Sequence, residues 1–96
     1  MIVLVCYDVK TEQKEGRARL RKIAEACKDY GVRVQYSVFE CPVDDAQAVR
    51  LKQRVLSIAE LAEDSVRFYY LDESVQGRTE HHGVREPLDP RGPLIL

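Results

Sequence analysis

Ninety-six residues suffice for one small domain, and a chain this short buries only about two-thirds of its unfolded surface, so a second copy would add stability. With 45% hydrophobic and 32% charged residues the composition excludes a disordered chain, and a net charge of −1 excludes a global pull on nucleic acid, leaving only local patches for such binding. No apolar run approaches the ~20 residues of a membrane-spanning helix, and the apolar start lacks a basic leader and is too short for a signal peptide.

The chain opens MIVLVCYDVK, a near-continuous, β-branched apolar run that reads as a buried strand over residues 1–9. Asp8 stands at its end. An unpaired buried carboxylate costs several kcal/mol, on the order of other buried charges. The spacing therefore predicts Asp8 at water, at a helix N-terminus, or beside a cation or metal. After a polar turn over 11–16, Leu20, Ile23, Ala24 and Cys27 recur at i, i+3, i+4, i+7, one face of a helix from about Glu15 to Tyr30 that stops at Gly31.

VRVQYSVFECPV, residues 32–43, alternates as a strand does, with Val32, Val34, Tyr36 and Val38 on one side and Arg33, Gln35, Ser37 and Phe39 on the other. Twelve residues are long for one strand, so a bend or tight turn near Tyr36–Ser37 is expected to split it in two. Asp44 or Asp45 caps a second helix, Gln47 completes a capping-box pattern with Asp44, and Ala48, Leu51, Val55, Ile58, Ala59 and Ala62 form its apolar face. VRFYYL, residues 66–71, is the last clear strand, with one of Tyr69 and Tyr70 expected in the core and one on the surface. The order predicts an α+β, ferredoxin-like βαββαβ sandwich, two helices on an antiparallel sheet, over residues 1–72. Residues 73–96 form a Gly/Pro-rich tail whose final PLIL could add a strand to a partner subunit's sheet.

Four features could carry chemistry. Asp8 is a candidate metal ligand or general base. The first helix holds six basic residues between Lys14 and Lys28, with Arg17 and Arg21 on one face and Arg19 and Lys22 off to the sides, a pattern that suits phosphates but also suits a plain solvated surface. Arg33, Gln35, Ser37 and Phe39 form a polar-and-aromatic stripe, without the glycine-aromatic run that base stacking on such a sheet requires. His81 and His82 lie adjacent in a Gly-flanked loop, poor geometry for a metal, and read as solvated tail. Cys6, Cys27 and Cys41 are odd in number, lack CxxC spacing and sit in apolar patterns, which argues against a disulfide framework or zinc site and points to the cytoplasm.

MIVLVCYDV, GRARLRKIAEACKDYG, VRVQYSVFECPVDDAQ and VRFYYL, in this order and spacing, resemble the Cas-two family, the small CRISPR-associated nuclease-like subunit of the spacer-acquisition machinery. The resemblance spans residues 1 to about 71. It implies a ferredoxin-like protomer in a tight homodimer, with Asp8 from each copy sharing one divalent metal, typically Mg²⁺. Asp8 matches the family's catalytic and metal-binding acid, and Tyr7 flanks it. Arg17 and Arg19 match the basic positions of the first helix. Arg33, Ser37 and Phe39 match its R-x-x-x-S-x-F stretch, Arg33 and Ser37 as nucleic-acid contacts and Phe39 in support.

Two functions follow from the resemblance. One is an Mg²⁺-dependent endonuclease on RNA or DNA that is also a structural subunit of the spacer-integration complex. The other is a non-catalytic scaffold that binds double-stranded DNA and bridges dimers of the CRISPR integrase subunit. A toxin-type ribonuclease of the same fold is a further alternative.

Overall fold

In the computed structural model, which describes residues 1–84, the elements run β1 (Ile2–Asp8), α1 (Lys14–Lys28), β2 (Val32–Gln35), β3 (Val38–Pro42), α2 (Asp45–Ile58) and β4 (Ser65–Leu71), followed by a 3₁₀ segment Glu73–Arg78. The sheet order is β2-β3-β1-β4 and all three pairings are antiparallel. This is the expected ferredoxin-like sandwich. The tail residues 85–96, including PLIL, lie outside the described residues.

The strand period of two decides which side chains meet the helices. Val3, Val5 and Tyr7 of β1 and Phe39 and Cys41 of β3 are buried with Ile23, Ala24, Ala26 and Cys27 of α1 and Ala48, Leu51 and Val55 of α2. On the opposite face, Leu4, Cys6 and Val38 are only partly buried and Tyr69 is exposed. Antiparallel sheets can leave one face to water, and this one is mixed: the register puts Glu40 and Arg67 on it beside Leu4, Cys6, Val38 and Tyr69.

Tyr36 and Ser37 form the turn of a tight hairpin between β2 and β3, so the long alternating segment is two strands. The single stripe expected from Arg33 to Phe39 is therefore folded back on itself: Arg33 faces Phe39 across the ladder, and Phe39 is fully buried. The capping box of α2 is formed as expected: the Gln47 N–H donates to Asp44 Oδ1 at 2.8 Å, and the Asp44 N–H donates to Gln47 Oε1 at 3.0 Å. The helix stops at Ile58, so Ala62 falls outside it and is exposed, against expectation. Tyr69 and Tyr70 are both exposed, because β4 is an edge strand and neither of its faces is fully covered there.

Two glycines serve close approach. A Cβ on Gly16 would lie 1.8 Å from the Lys10 carbonyl oxygen, and one on Gly31 would lie 2.0 Å from the Glu40 carbonyl oxygen. Gly31 follows α1 as the sequence suggests, but its reason is this contact and not a left-handed conformation, since Gly83 is the only described residue with positive φ.

Candidate functional site

Asp8 closes β1 and is exposed, in register with Ser65 of β4. On the other flank the Tyr7 N–H donates to the Ser37 carbonyl of the hairpin turn at 3.0 Å. Both neighbours of β1 thus reach its end, where an open groove of about 610 Å³ is lined by Asp8, Ser37, Leu61, Asp64, Ser65 and Arg67, among others. The Asp8 carboxylate makes no hydrogen bond or ion pair with any described residue. Its position at a strand end with access to water is one of the alternatives the sequence left open.

The enclosed acid of this region is a different one. Asp64, immediately before β4, has a side chain with 0% exposure. It accepts from Arg19 Nε at 2.8 Å and Arg19 Nη2 at 3.2 Å, from the Lys10 N–H at 3.1 Å and from the Glu60 N–H at 2.9 Å. A carboxylate can be enclosed when its lone pairs are satisfied by charge-assisted and backbone donors. The Arg19 hydrogen bond, above all, holds Asp64 below the ordinary carboxylate range, with the two backbone donors acting the same way and burial opposing them. Arg19 also reaches Glu63 at 3.2 Å. The resemblance offered Arg19 to phosphate; in the structure its guanidinium is turned inward and occupied by acids of its own chain.

The remaining expected residues lie on two sides of the sheet. Tyr7, Phe39 and Arg33 belong to the helix-facing side. The Tyr7 and Phe39 rings stack at 6.4 Å between centroids and 20° between planes, and the Arg33 guanidinium carbon lies 5.2 Å from the Phe39 centroid. The Tyr7 hydroxyl is buried without a well-formed hydrogen bond among the described residues. Burial raises its pKa, and the nearby Arg33 guanidinium only partly offsets that. Phe39 is thus a core residue supporting the strand that carries Asp8, not part of an exposed stripe. Ser37 shares the groove with Asp8. Arg17 is exposed, and its Nη1 donates to the carbonyls of Thr11 at 3.1 Å and Glu12 at 3.4 Å, bracing the β1–α1 loop. Lys14, Arg17, Arg21 and Lys28, spaced at i, i+3, i+7 and i+14, are all exposed on one stripe of α1.

Arg67 escaped the sequence reading. It is the cation lining the Asp8 groove, cross-strand from Cys6, with Nη1 donating to the Tyr69 hydroxyl at 2.7 Å. The alternation Ser65, Arg67, Tyr69 was the available signal, but only the register with β1 places it beside Asp8. Among the described residues no cluster of three or more His, Cys, Asp or Glu could hold a metal. Asp8 has the chemistry for a hard divalent cation, an exposed carboxylate with no hydrogen-bond or ion-pair partner among the described residues, and it is one such ligand, the rest to come from waters or a second copy. His81 and His82 are exposed, and among the described residues their rings hydrogen-bond with the Gly83 carbonyl and the Glu80 carboxylate. The cysteines are free, and burial pushes the Cys27 and Cys41 thiols up to about 12, so neither is poised as a nucleophile. No described helix is long and apolar enough to cross a membrane.

Comparison with known proteins places this geometry in context. Residues 1–79 match the family model described as CRISPR associated protein Cas2. Over 100% of both chains, the sequence is 55% identical to the CRISPR-associated endoribonuclease Cas2 of Chlorobaculum tepidum and 45% identical to the CRISPR-associated endonuclease Cas2 of Halalkalibacterium halodurans. The fold is similar to the crystal structure of Streptococcus pyogenes Cas2 at pH 6.5, with a TM-score of 0.79 and 52% identity, covering 86% of this chain and 100% of that one.

Proposed function

The chain belongs to the CRISPR-associated Cas2 family, and on that premise we propose that it is an endonuclease of CRISPR adaptation that cleaves phosphodiester bonds of RNA or DNA with a divalent metal, Mg²⁺, held by Asp8. The observation that carries this reading is the contrast in the groove: the enclosed acid, Asp64, has its lone pairs filled, while Asp8 is exposed and has no partner among the described residues. When bound, such a metal supplies Lewis-acid charge at the scissile phosphate. The chain's own groups supply the rest. Asp8 contributes oxygen ligands from a rigid strand end. Ser37, on the hairpin turn, is placed to hydrogen-bond a phosphate oxygen or a water. Arg67 brings positive charge to the same groove, and Arg33, exposed at the sheet margin, adds to it.

The working unit under this reading is a homodimer. Leu4, Cys6 and Val38 are only partly buried and Tyr69 is exposed on a sheet face shared with Glu40 and Arg67, in a chain too small to leave that apolar surface uncovered, and Asp8 lies at the end of that face. A second copy would cover the face and bring a second Asp8 toward the same axis. A cytoplasmic location agrees with three free cysteines.

A specific observation favours a second role alongside the first. The exposed stripe of Lys14, Arg17, Arg21 and Lys28 lies on the helix layer, away from the Asp8 face, and suits a duplex backbone held by a scaffold that bridges integrase subunits. One experiment tests both. Wild type, Asp8→Asn and an Arg17→Ala/Arg21→Ala variant are incubated with labelled RNA and duplex DNA, with Mg²⁺ or EDTA. Cleavage lost with Asp8→Asn or EDTA but kept in the helix variant supports the nuclease assignment. Duplex binding lost only in the helix variant supports the scaffold. Cleavage untouched by Asp8→Asn overturns the first reading.

A further inference from the structure

We infer that Arg19 and Asp64 form a positioning clamp for the Asp8 end of β1, and that Arg19 serves the site through Asp64 and not by holding phosphate. The inference rests on the proposed role of Asp8.

Three observations converge. First, the clamp joins the segments that frame Asp8. Asp64 directly precedes Ser65, the residue in register with Asp8, and its Oδ1 accepts the N–H of Lys10, two residues beyond Asp8. The same carboxylate accepts the N–H of Glu60, so the loop before β4 is drawn to the loop after β1. Second, the geometry is that of a fork. Arg19 donates from Nε to one carboxylate oxygen at 2.8 Å and from Nη2 to the other at 3.2 Å, which fixes the carboxylate plane as well as its position. Third, the guanidinium has little left for an outside ligand: its side chain is 17% exposed, and Nη2 also meets Glu63. Facing acids surround it, so an approaching phosphate would meet negative charge first. Arg17 and Arg21, on the exposed stripe, have no such acid cage, although Arg21 stands 4.0 Å from Glu25.

Backbone position at this point matters because β1 ends there. Asp8 is the last ladder residue, and beyond it the chain is held by the Lys10 N–H on Asp64 and by Gly16 packed against the Lys10 carbonyl. Without the clamp the last residues of β1 would fray. A shift on the order of 1 Å in a reacting group is enough to cost about a hundredfold in rate.

The test compares Arg19→Gln, Asp64→Asn and the conservative Arg19→Lys by three readouts, at a temperature where each is folded. The first is cleavage kinetics. The clamp predicts that Arg19→Gln and Asp64→Asn each lower kcat by about ten- to a hundredfold with KM within about twofold. The second is the salt dependence of nucleic-acid affinity. A lost phosphate contact would reduce the log–log slope by about 1, whereas the clamp predicts no change. The third is ¹⁵N relaxation, with order parameters falling at Asp8–Lys10 and over residues 60–65, the segments that the Asp64 carboxylate joins, and not elsewhere. Arg19→Lys, which keeps the charge but loses the fork, should retain the fold and the slope, lose kcat part-way, and loosen the same residues. If Gln or Asn at these positions prevents folding, Arg19→Lys decides alone. A slope reduced by about 1 in Arg19→Gln with kcat at saturation intact, or order parameters and kcat both unchanged in Asp64→Asn, overturns the clamp. A wild type that cleaves neither polymer defeats the nuclease reading instead, and relaxation at Asp8 then decides the clamp by itself.

Discussion

Asp8 and Asp64 stand at the same end of the same sheet, and their surroundings are opposite. Asp8 is exposed and makes no hydrogen bond or ion pair with a described residue; Asp64 is enclosed and accepts from one guanidinium and two backbone amides. Both are short carboxylates next to β1 or β4, so residue type does not separate them. What separates them is where the donors are. The loops around Asp64 turn their N–H groups toward it and α1 sends Arg19 across, whereas Asp8 points from the sheet end into an open groove. An acid whose partners are supplied by the fold contributes stability; one left without partners is available to a ligand. The comparison assigns structure to Asp64 and chemistry to Asp8.

The comparison can be broken by substitution. The largest effect should come from Gly16→Ala, because its Cβ would stand 1.8 Å from the Lys10 carbonyl oxygen and neither backbone can yield cheaply. Loss of the cooperative unfolding transition, or a melting temperature lowered by more than about 10 °C, is the expected readout in a thermal scan. Asp64→Ala follows, leaving two amides and a guanidinium without their acceptor. Urea denaturation should show a loss of about 2–4 kcal/mol.

Acid sharpens the comparison further. Asp64 is held below the ordinary carboxylate range by Arg19 first, and then by the two backbone donors. A carboxylate with a depressed folded-state pKa contributes its full stability above its unfolded pKa of about 4 and loses it as pH falls through the folded value. Wild-type stability should therefore decline from about pH 4 downward, and Asp64→Asn should decline less over the same range when unfolding is followed at successive pH values. Asp8→Asn should have the smallest effect on the fold, within about 0.5 kcal/mol of wild type in the same denaturation experiment, because no partner among the described residues is lost.

Much of this molecule was legible in the sequence because it is local. The alternation and the 3.6-residue period gave the order of elements, Asp44 and Gln47 lie three apart, and the length of one alternating run suggested a bend or turn at Tyr36–Ser37. Asp8 was expected at a strand end because a carboxylate closing an apolar strand must find water or a partner, and of the surroundings left open the structure shows exposure. What failed was long-range. The stripe from Arg33 to Phe39 assumed one continuous face, and the hairpin turn folded it so that Phe39 went to the core. The Arg19–Asp64 pair spans 45 positions, which no window reveals. One sequence signal was present: Arg19 lies four residues before Ile23 and seven before Ala26, on the buried side of α1, while Arg17 and Arg21 lie on the open side. Arg67 was hidden for the same reason, since only the pairing of β4 with β1 brings it to the groove.

The most direct test of the assignment is cleavage by wild type and Asp8→Asn on one labelled substrate, with Mg²⁺ titrated into protein freed of metal, alongside sedimentation and melting of both. The account predicts equal folding and association, Mg²⁺-dependent cleavage by wild type, and a rate lower by at least about a hundredfold for Asp8→Asn at every metal concentration. An Asp8→Asn protein that cleaves at the wild-type rate with the same Mg²⁺ requirement would contradict it, and would move the chemistry away from the end of β1.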